Sequence, residues 1–478
     1  MEKSHDLPQV LVLKPPPDTL VFGQDRFSSD KYRFLKAWES PLPLDQFLQA
    51  HAQSVQAILV SGGIPITAEI LRLLPALKML MTTAAGLNHI DMPECRRRGI
   101  AVANAGSVHS EDAADLAVGL LIDVLRKVSS SDRYVRGGLW TTNGDFTLGS
   151  KVGGKRVGIV GLGNIGSLVA KRLEAFGCCI SYNSRKQKPS VSYPFYSNVH
   201  ELAANSDVLI ICCGLTDQTH HMIDKEVLSA LGKEGVIVNI GRGAIIDEQE
   251  LVRCLVHGEI KGAGLDVFEK EPDVPKELFE LDNVVLSPHC AVWTRETFND
   301  RPKYVVANLE AFFSNKPLFS PVLSFACPKE NLEIVFWKIG QKILIICCAL
   351  TAQTHHLINK QVLSVLGKEG VVVNIARGSV IDEQELVRCL MEGEIRGASL
   401  DVFANKPDVP EELFGLDNVV LSPHSATFTV ESFKDLQQLV VGNLEAYFSN
   451  KPLLSEVALD CVDFVFEVQF LCYFFKPK

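Results

Sequence analysis

Apolar residues in this chain fall into short continuous runs separated by stretches of helical periodicity, and that alternation predicts a parallel sheet. Val10-Leu11-Val12-Leu13 ends at Pro15-Pro16-Pro17, Ala57-Ile58-Leu59-Val60 ends at Gly62-Gly63, and a third run leads from Leu80 to Ala85-Gly86. Runs this short and this apolar suit strands buried on both faces, with amphipathic helices between them. A long helix is expected over 110–135, opened by Ser110-Glu111-Asp112 and carrying Ala114, Ala117, Leu121 and Leu125 at helical spacing; Gly137-Gly138 closes it. A second series of runs begins at Val157-Gly158-Ile159-Val160 and continues at Ile180, 208–212, 236–240, 263–267 and 284–286. Six strands with helical connectors make a doubly wound domain. Residues 309–313 then read as a helix able to return to the first domain.

The pattern then repeats itself. Residues 209–320 recur at 344–455 with 80 of 112 positions identical at a constant offset of 135. Arg242 recurs as Arg377, Asp266 as Asp401 and His289 as His424, but Glu271 becomes Lys406. By strand counting the copy starts inside a fourth strand and lacks the three before it. Half a doubly wound domain exposes a strand edge and an open apolar face. It must pack on the first copy, exchange with its homologous half, find a partner, or stay poorly ordered. An abrupt start behind an unrelated junction is also what two tandem genes joined in one reading frame would leave.

Composition narrows the class. With 47% apolar and 22% charged residues the 478-residue chain is an ordinary soluble protein of several domains. A net charge of −10 and a pI near 5.7 leave no basic stripe to displace counterions from phosphates, so nucleic acid is not an expected partner. The thirteen cysteines include the doublets Cys178-Cys179, Cys212-Cys213 and Cys347-Cys348 in apolar runs, and none forms a C-x-x-C pair. Reduced, buried thiols without structural zinc are expected, and cytosol is the default compartment. The acidic start Met1-Glu2-Lys3-Ser4-His5-Asp6 argues against a secretory leader, and Phe475-Lys476-Pro477-Lys478 is not a peroxisomal address. Asp460, Asp463 and Glu467 punctuate the apolar tail, which therefore reads as an irregular or edge-strand segment and not a membrane helix.

Candidate chemistry begins at Gly161-Leu162-Gly163-Asn164-Ile165-Gly166, directly after a strand and at the opening of a helix with Leu168, Ala170 and Leu173. In that context the glycines let backbone approach a pyrophosphate at a helix N-terminus, where N–H groups and the dipole favour anions. The end of the next strand selects the cofactor. An acid there would accept hydrogen bonds from a ribose 2′-hydroxyl. Here Tyr182-Asn183-Ser184-Arg185-Lys186 stands in its place, with no acid between Glu174 and Glu201. Ser184, Arg185 and Lys186 suit a 2′-phosphate, so NADP(H) is expected over NAD(H) unless these cations only solvate a loop.

Three further landmarks lie just past apolar strands: Asn239-Ile240-Gly241-Arg242-Gly243, the segment Gly264-Leu265-Asp266-Val267-Phe268 running on to Glu271-Pro272, and Ser287-Pro288-His289. Strand carboxyl ends are where a doubly wound sheet binds ligands. In these motifs, over about 7–322, the chain resembles the D-isomer-specific 2-hydroxyacid dehydrogenases, and within them plant-type hydroxypyruvate and glyoxylate reductases using NADPH. The resemblance implies that Arg242 binds the substrate carboxylate and polarises the keto oxygen, that His289 donates a proton to that oxygen, and that Glu271 holds the imidazole and favours its protonated form. It places Ile240 and Asp266 beside the cofactor, and Ala84-Ala85-Gly86-Leu87 as the loop receiving the carboxylate, so Ala85, Gly86 and Leu87 join Arg242 and His289 in binding substrate. The chemistry asks for the same set independently. Hydride addition to a ketone leaves an alkoxide that needs a nearby acid.

The implied organisation is a substrate domain over 1–106 with a returning segment 290–322, a cofactor domain over 107–289, a junction at 323–343, the partial repeat at 344–455 and the tail at 456–478. The fold is thus α/β, two doubly wound parallel-sheet domains plus an incomplete half domain. Homodimers are common in the family through the cofactor domain, which makes the helix at 110–135 a candidate interface. Taken singly, Arg242, Glu271 and His289 each have a structural reading; together, in order and spacing, the catalytic one is preferred. The paired His220-His221 and His355-His356 read as structural, and Trp293 either closes the pocket or packs. Arg301-Pro302 is a departure that can kink the following helix or shift its start. In the repeat, Lys406 puts a cation where His424 expects an anion, so a second reductase site is not expected. Small 2-oxo acids are the substrate class, hydroxypyruvate and glyoxylate first and an aromatic acid such as hydroxyphenylpyruvate second; a catalytically impaired nucleotide-binding protein is the rival of another class.

Overall fold

The buried apolar runs do form parallel strands, and they assemble into three sheets. The computed structural model describes residues 7–14, 31–51, 53–61, 64–323, 342–449, 451 and 454–455. The turns expected at Pro15-Pro16-Pro17 and Gly62-Gly63, the body of the junction and the tail at 456–478 lie outside the described residues. Two compact units account for the chain: Met1–Val124 with Gly153–Val335, and Leu125–Val152 with Phe336–Lys478.

The first unit holds two six-stranded sheets. One is built from β1 (Gln9–Val12), β2 (Arg33–Lys36), β3 (Val55–Val60), β4 (Met79–Thr82), β5 (Ala101–Ala103) and β12 (Pro321–Leu323), in the order β12-β5-β4-β3-β1-β2. All pairs are parallel except β12 against β5. Leu11, Ile58 and Leu80 fill one face; on the other, Val10, Leu59 and Met81 pack under Val305 and Leu309 of the helix Arg295–Phe313. That helix starts well before the expected 309–313, capped by Thr294, whose side chain accepts from the Thr297 N–H. It runs through Pro302, which has no N–H to give the carbonyl of Phe298.

The second sheet comprises β6 (Arg156–Val160), β7 (Cys179–Asn183), β8 (Val208–Ile211), β9 (Val236–Asn239), β10 (Gly262–Leu265) and β11 (Val284–Leu286), all parallel, in the order β11-β10-β9-β8-β6-β7. Strand order reverses between β6 and β8, and such a switch point opens a crevice at the carboxyl ends.

In the second unit β13 (Ile343–Ile346), β14 (Val371–Asn374), β15 (Gly397–Leu400) and β16 (Val419–Leu421) form a four-stranded parallel sheet in chain order. At an offset of 135 these reproduce β8 to β11, so the repeat begins within a third strand and lacks β6 and β7; the strand count in the sequence reading was one too high. The missing neighbours leave a bare edge: Ile343 and Ile345 are 57% and 61% exposed, whereas their counterparts Val208 and Ile210 are fully buried. Cys347 and Cys348, expected to be buried thiols, are exposed for the same reason.

The helix expected over 110–135 is two helices, Ser110–Arg126 and Val128–Arg136, hinged at Lys127 with φ 56°. The Leu125 carbonyl accepts from the Ser150 N–H at 2.7 Å, and the run Ser129-Ser130-Ser131 is weakly helical, with Ser131 Oγ donating to the Val128 carbonyl at 2.8 Å. Gly137 ends the second helix, as expected. Residues 125–152, which the boundary 107–289 assigned to the cofactor domain, build the core of the second unit: Val135 and Trp140 are buried with Val372, Phe403, Leu413 and Leu421.

Gly243 fixes the local geometry of the second sheet. A Cβ there would overlap the backbone of Phe268, and Gly378 stands against Phe403 in the same way. Gly243→Ala is therefore expected to destabilise the first unit by about 3 kcal/mol, read as a lower urea midpoint; an unchanged midpoint would show that the 268 loop moves freely.

Candidate active site

Each candidate catalytic residue sits just past the carboxyl end of a strand, and each is held by the strand that precedes it. Asn239 closes β9, buried; its Oδ1 accepts from the Gly241 N–H and its Nδ2 donates to the Arg242 carbonyl, both at 3.0 Å. The turn so fixed sends the Arg242 side chain toward the loop after β4, where Nε donates to Asn88 Oδ1 at 3.3 Å, while Nη1 donates to the Gly241 carbonyl at 2.6 Å. Gly86 lies in the same loop, and a Cβ on it would collide with the Arg242 guanidinium. Burial pulls the pKa of Arg242 down and Glu271 opposes it, from a starting value so high that the guanidinium stays charged. Burial, with Arg242 adding to it, also lowers the pKa of His89, whose Nε2 lies 3.3 Å from Thr82 Oγ1. Asn88 and His89 escaped the sequence reading; their adjacency to Gly86-Leu87 was the available signal.

Asp266, at the end of β10, is completely buried, and its carboxylate accepts from Ser287 Oγ and from the N–H groups of Cys290 and Ala291, at 2.9 and 3.1 Å for the two amides. Its own carbonyl accepts from the His289 N–H at 2.7 Å. Burial raises the carboxyl pKa, and these donors oppose that. Asp266 thereby clamps the loop that carries His289, a residue with φ 52°. Glu271 arrives from the same strand end: Oε2 is 2.7 Å from His289 Nδ1, and Oε1 accepts from the Phe268 N–H at 3.1 Å. A carboxylate on Nδ1 makes that nitrogen a donor in either protonation state, so Nε2 is the nitrogen that gains and gives a proton.

The glycine loop stands at the switch point. Gly161 has φ 97°, and a Cβ on it would press on Cys213, just past β8, which leaves no room for a side chain. Gly163 caps the helix Asn164–Ala175 and would meet nothing within 4 Å, which fits close approach of a pyrophosphate to backbone. Leu162 is buried, and Ile240, 7% exposed, directly follows β9. Asn164, Ile165 and Gly166 form the first turn of that helix. Ser184, Arg185 and Lys186 follow β7 at the far edge of the sheet, Arg185 and Lys186 exposed, with Ser184 Oγ donating to the Lys186 carbonyl at 2.7 Å. The structure thus groups Arg242 with Gly86 and Asn88, and His289 with Glu271, and Glu271 is near enough to act on the Arg242 charge. Ala85, whose carbonyl accepts from Asn104 Nδ2 at 2.9 Å, and Leu87 flank Gly86 in the same loop. Trp293 is 61% exposed, edge-on to Phe298 at 6.2 Å.

The repeat preserves this scaffold and inverts its charge. Asp401 makes the bonds of Asp266, to Ser422, Ser425 and Ala426, and His424 has the same φ of 52°. Lys406 Nζ lies 2.9 Å from His424 Nδ1 and must donate to it. Burial, Lys406 and Arg377 push the His424 pKa down to about 4. Nδ1 keeps its lone pair, the ring stays neutral, and no proton donor results.

A doubly wound sheet with a phosphate-binding glycine loop, an arginine beside the crevice and a histidine–carboxylate pair define an NAD(P)-dependent 2-hydroxyacid dehydrogenase. The chain belongs to the D-isomer-specific 2-hydroxyacid dehydrogenases: the NAD-binding domain of that family matches residues 118–291 and again 340–426. It is 55% identical over 322 residues to the glyoxylate/hydroxypyruvate reductase HPR3 of Arabidopsis thaliana, a match covering 67% of this chain and 99% of the relative. It is 48% identical over 293 residues to the hydroxyphenylpyruvate reductase of Plectranthus scutellarioides, covering 61% of this chain and 93% of that one. Among solved structures, the NADPH-dependent glyoxylate/hydroxypyruvate reductase of Sinorhizobium meliloti, in complex with NADP and malonate, superposes with a TM-score of 0.60 at 34% identity, over 66% of this chain and 96% of the other.

Two outcomes follow from the geometry. Gly86→Ala displaces the Arg242 guanidinium and should raise KM for an oxo acid about tenfold with the fold intact; an unchanged KM would separate Arg242 from carboxylate binding. In the second unit an unfolded histidine protonates near 6.5 while folded His424 waits until about 4, so the unfolded state takes up the extra proton between them. Stability of that unit should fall as pH drops through this window, and Lys406→Glu should remove most of the fall. Hydrogen exchange of 371–421 at pH 7 and pH 5 reads it, and equal pH dependence in both proteins would contradict the pairing.

Proposed function

We propose that this chain reduces hydroxypyruvate and glyoxylate with NADPH, using Arg242, Glu271 and His289. When bound, the nicotinamide supplies hydride to the keto carbon. Arg242, held by Asn88 and the Gly241 carbonyl, carries the fixed positive charge that receives the substrate carboxylate and draws electron density toward the keto oxygen. His289 delivers its Nε2 proton to the forming alkoxide and is left neutral, its Nδ1–H still directed at Glu271. Gly161, Gly163 and the first turn of the helix Asn164–Ala175 would hold the pyrophosphate. The preference for NADPH rests on the cations Arg185 and Lys186, with no acid between Glu174 and Glu201.

The observation that carries this reading is the 2.7 Å contact between His289 and Glu271, set against its charge-inverted copy. Reduction of an aromatic oxo acid is the second reading, favoured by the 48% identity to a hydroxyphenylpyruvate reductase. We place the reaction in the cytosol, a reducing compartment that suits the unpaired thiols of the described cysteines.

NADPH oxidation tests both readings. The full chain should turn over hydroxypyruvate and glyoxylate with higher kcat/KM than hydroxyphenylpyruvate, and with NADPH better than NADH. Glu271→Lys, which converts copy one into the charge pattern of copy two, should lower kcat by roughly 100-fold or more. Retention of activity within a few fold would remove the His–Glu pair from the mechanism.

A further inference from the structure

We propose that the repeat acts as a substitute partner in cis: it occupies the segment 125–152, which would otherwise dock on the corresponding face of copy one in a second chain, and so keeps the protein monomeric. The internal repeat supplies the argument. In the second unit Arg136 donates to the carbonyls of Leu413, Phe414, Leu416 and Val419, Asp132 Oδ1 accepts from the Leu421 N–H at 2.8 Å, and Arg126 Nη2 donates to the carbonyls of Ser425 and Ala426. Gly149 pairs with the backbone at Phe428 and Val430. Val135 and Trp140 fill the apolar space between these bonds.

Almost all of this contact is to main chain, so it asks for a backbone shape and not for a particular set of side chains. Copy one has that shape. The loop clamped by Asp266 repeats the bonds of the loop clamped by Asp401, and Leu278, Phe279, Leu281, Val284 and Leu286 are identical in type to their counterparts in copy two.

Exposure maps where the two copies differ. Leu421 is fully buried, while Leu286 is only half-buried; Phe414 is half-buried, while Phe279 is 60% exposed. Pro423 is buried and Pro288 exposed; Phe428 is half-buried and Trp293 is 61% exposed. These four positions of copy two lie in or beside the stretches bonded to 125–152, and three of their counterparts in copy one, Phe279, Pro288 and Trp293, are exposed. A patch of this kind, equivalent to the face of copy two that 125–152 covers, is a docking face for that segment from a second copy.

Sedimentation of the full chain tests this directly and does not depend on catalysis. The wild-type chain should run as a monomer of 52.6 kDa. Phe414→Glu with Leu416→Glu should release 125–152 from the repeat and double the mass. A repeat that merely unfolds in this variant frees the segment equally, so the dimer is expected in either case. Adding Phe279→Glu, at an exposed position of copy one, should return the mass to that of the monomer. A dimeric wild type, a Phe414/Leu416 variant that stays monomeric, or a dimer indifferent to Phe279→Glu would each overturn the proposal.

Discussion

The buried carboxylate of Asp266 is the constraint on which the site depends. A charged group with no solvent exposure is tolerated only if its oxygens are satisfied, and here the donors are Ser287 and two amides of the loop that follows β11. Satisfying Asp266 therefore ties the ends of two neighbouring strands into one shape and sets His289 in its left-handed conformation. Glu271 follows the same strand as Asp266, so both members of the His289–Glu271 pair are anchored at one strand end. The neighbouring β9 contributes Arg242 through the corresponding device at Asn239, a buried amide that bonds its own turn. The geometry of the candidate site is thus a by-product of satisfying two buried polar side chains at strand ends.

The repeat separates scaffold from chemistry. Asp401, Asn374 and Gly378 rebuild the clamp, the turn and the close approach at Phe403, and the histidine returns with the same backbone angle. Changing Glu271 to Lys406 then reverses which nitrogen of the ring carries hydrogen. The missing β6 and β7 remove the glycine loop as well, so the copy lacks both that loop and the histidine–carboxylate pair. What it retains is a folded surface, and its core is completed by residues 125–152.

Much of this was legible in the sequence because strands buried on both faces announce themselves as unbroken apolar runs, and because doubly wound sheets place their ligand sites at strand carboxyl ends. The six strands of the second sheet, the glycine loop and the Arg–Glu–His set are of this kind. β2 and β5 were missed because Arg33-Phe34-Leu35-Lys36 is flanked by charge and Ala101–Ala103 is too short to show a period. Asp266 was read as a cofactor neighbour; its bonds to the His289 loop depend on distances that spacing does not encode. The break at Lys127 was hidden by periodicity that continues on both sides of it, and the fate of 125–152 depended on a tertiary partner 250 or more residues away. Asn88 was passed over because an exposed loop amide has no pattern of its own.

The most direct measurement is hydroxypyruvate-dependent NADPH oxidation by the full chain carrying His289→Ala or His424→Ala, two substitutions at equivalent positions of the same scaffold. If His289 is the proton donor, the first loses turnover by orders of magnitude while the second matches the wild type. Turnover that survives His289→Ala, or that falls with His424→Ala, would contradict it.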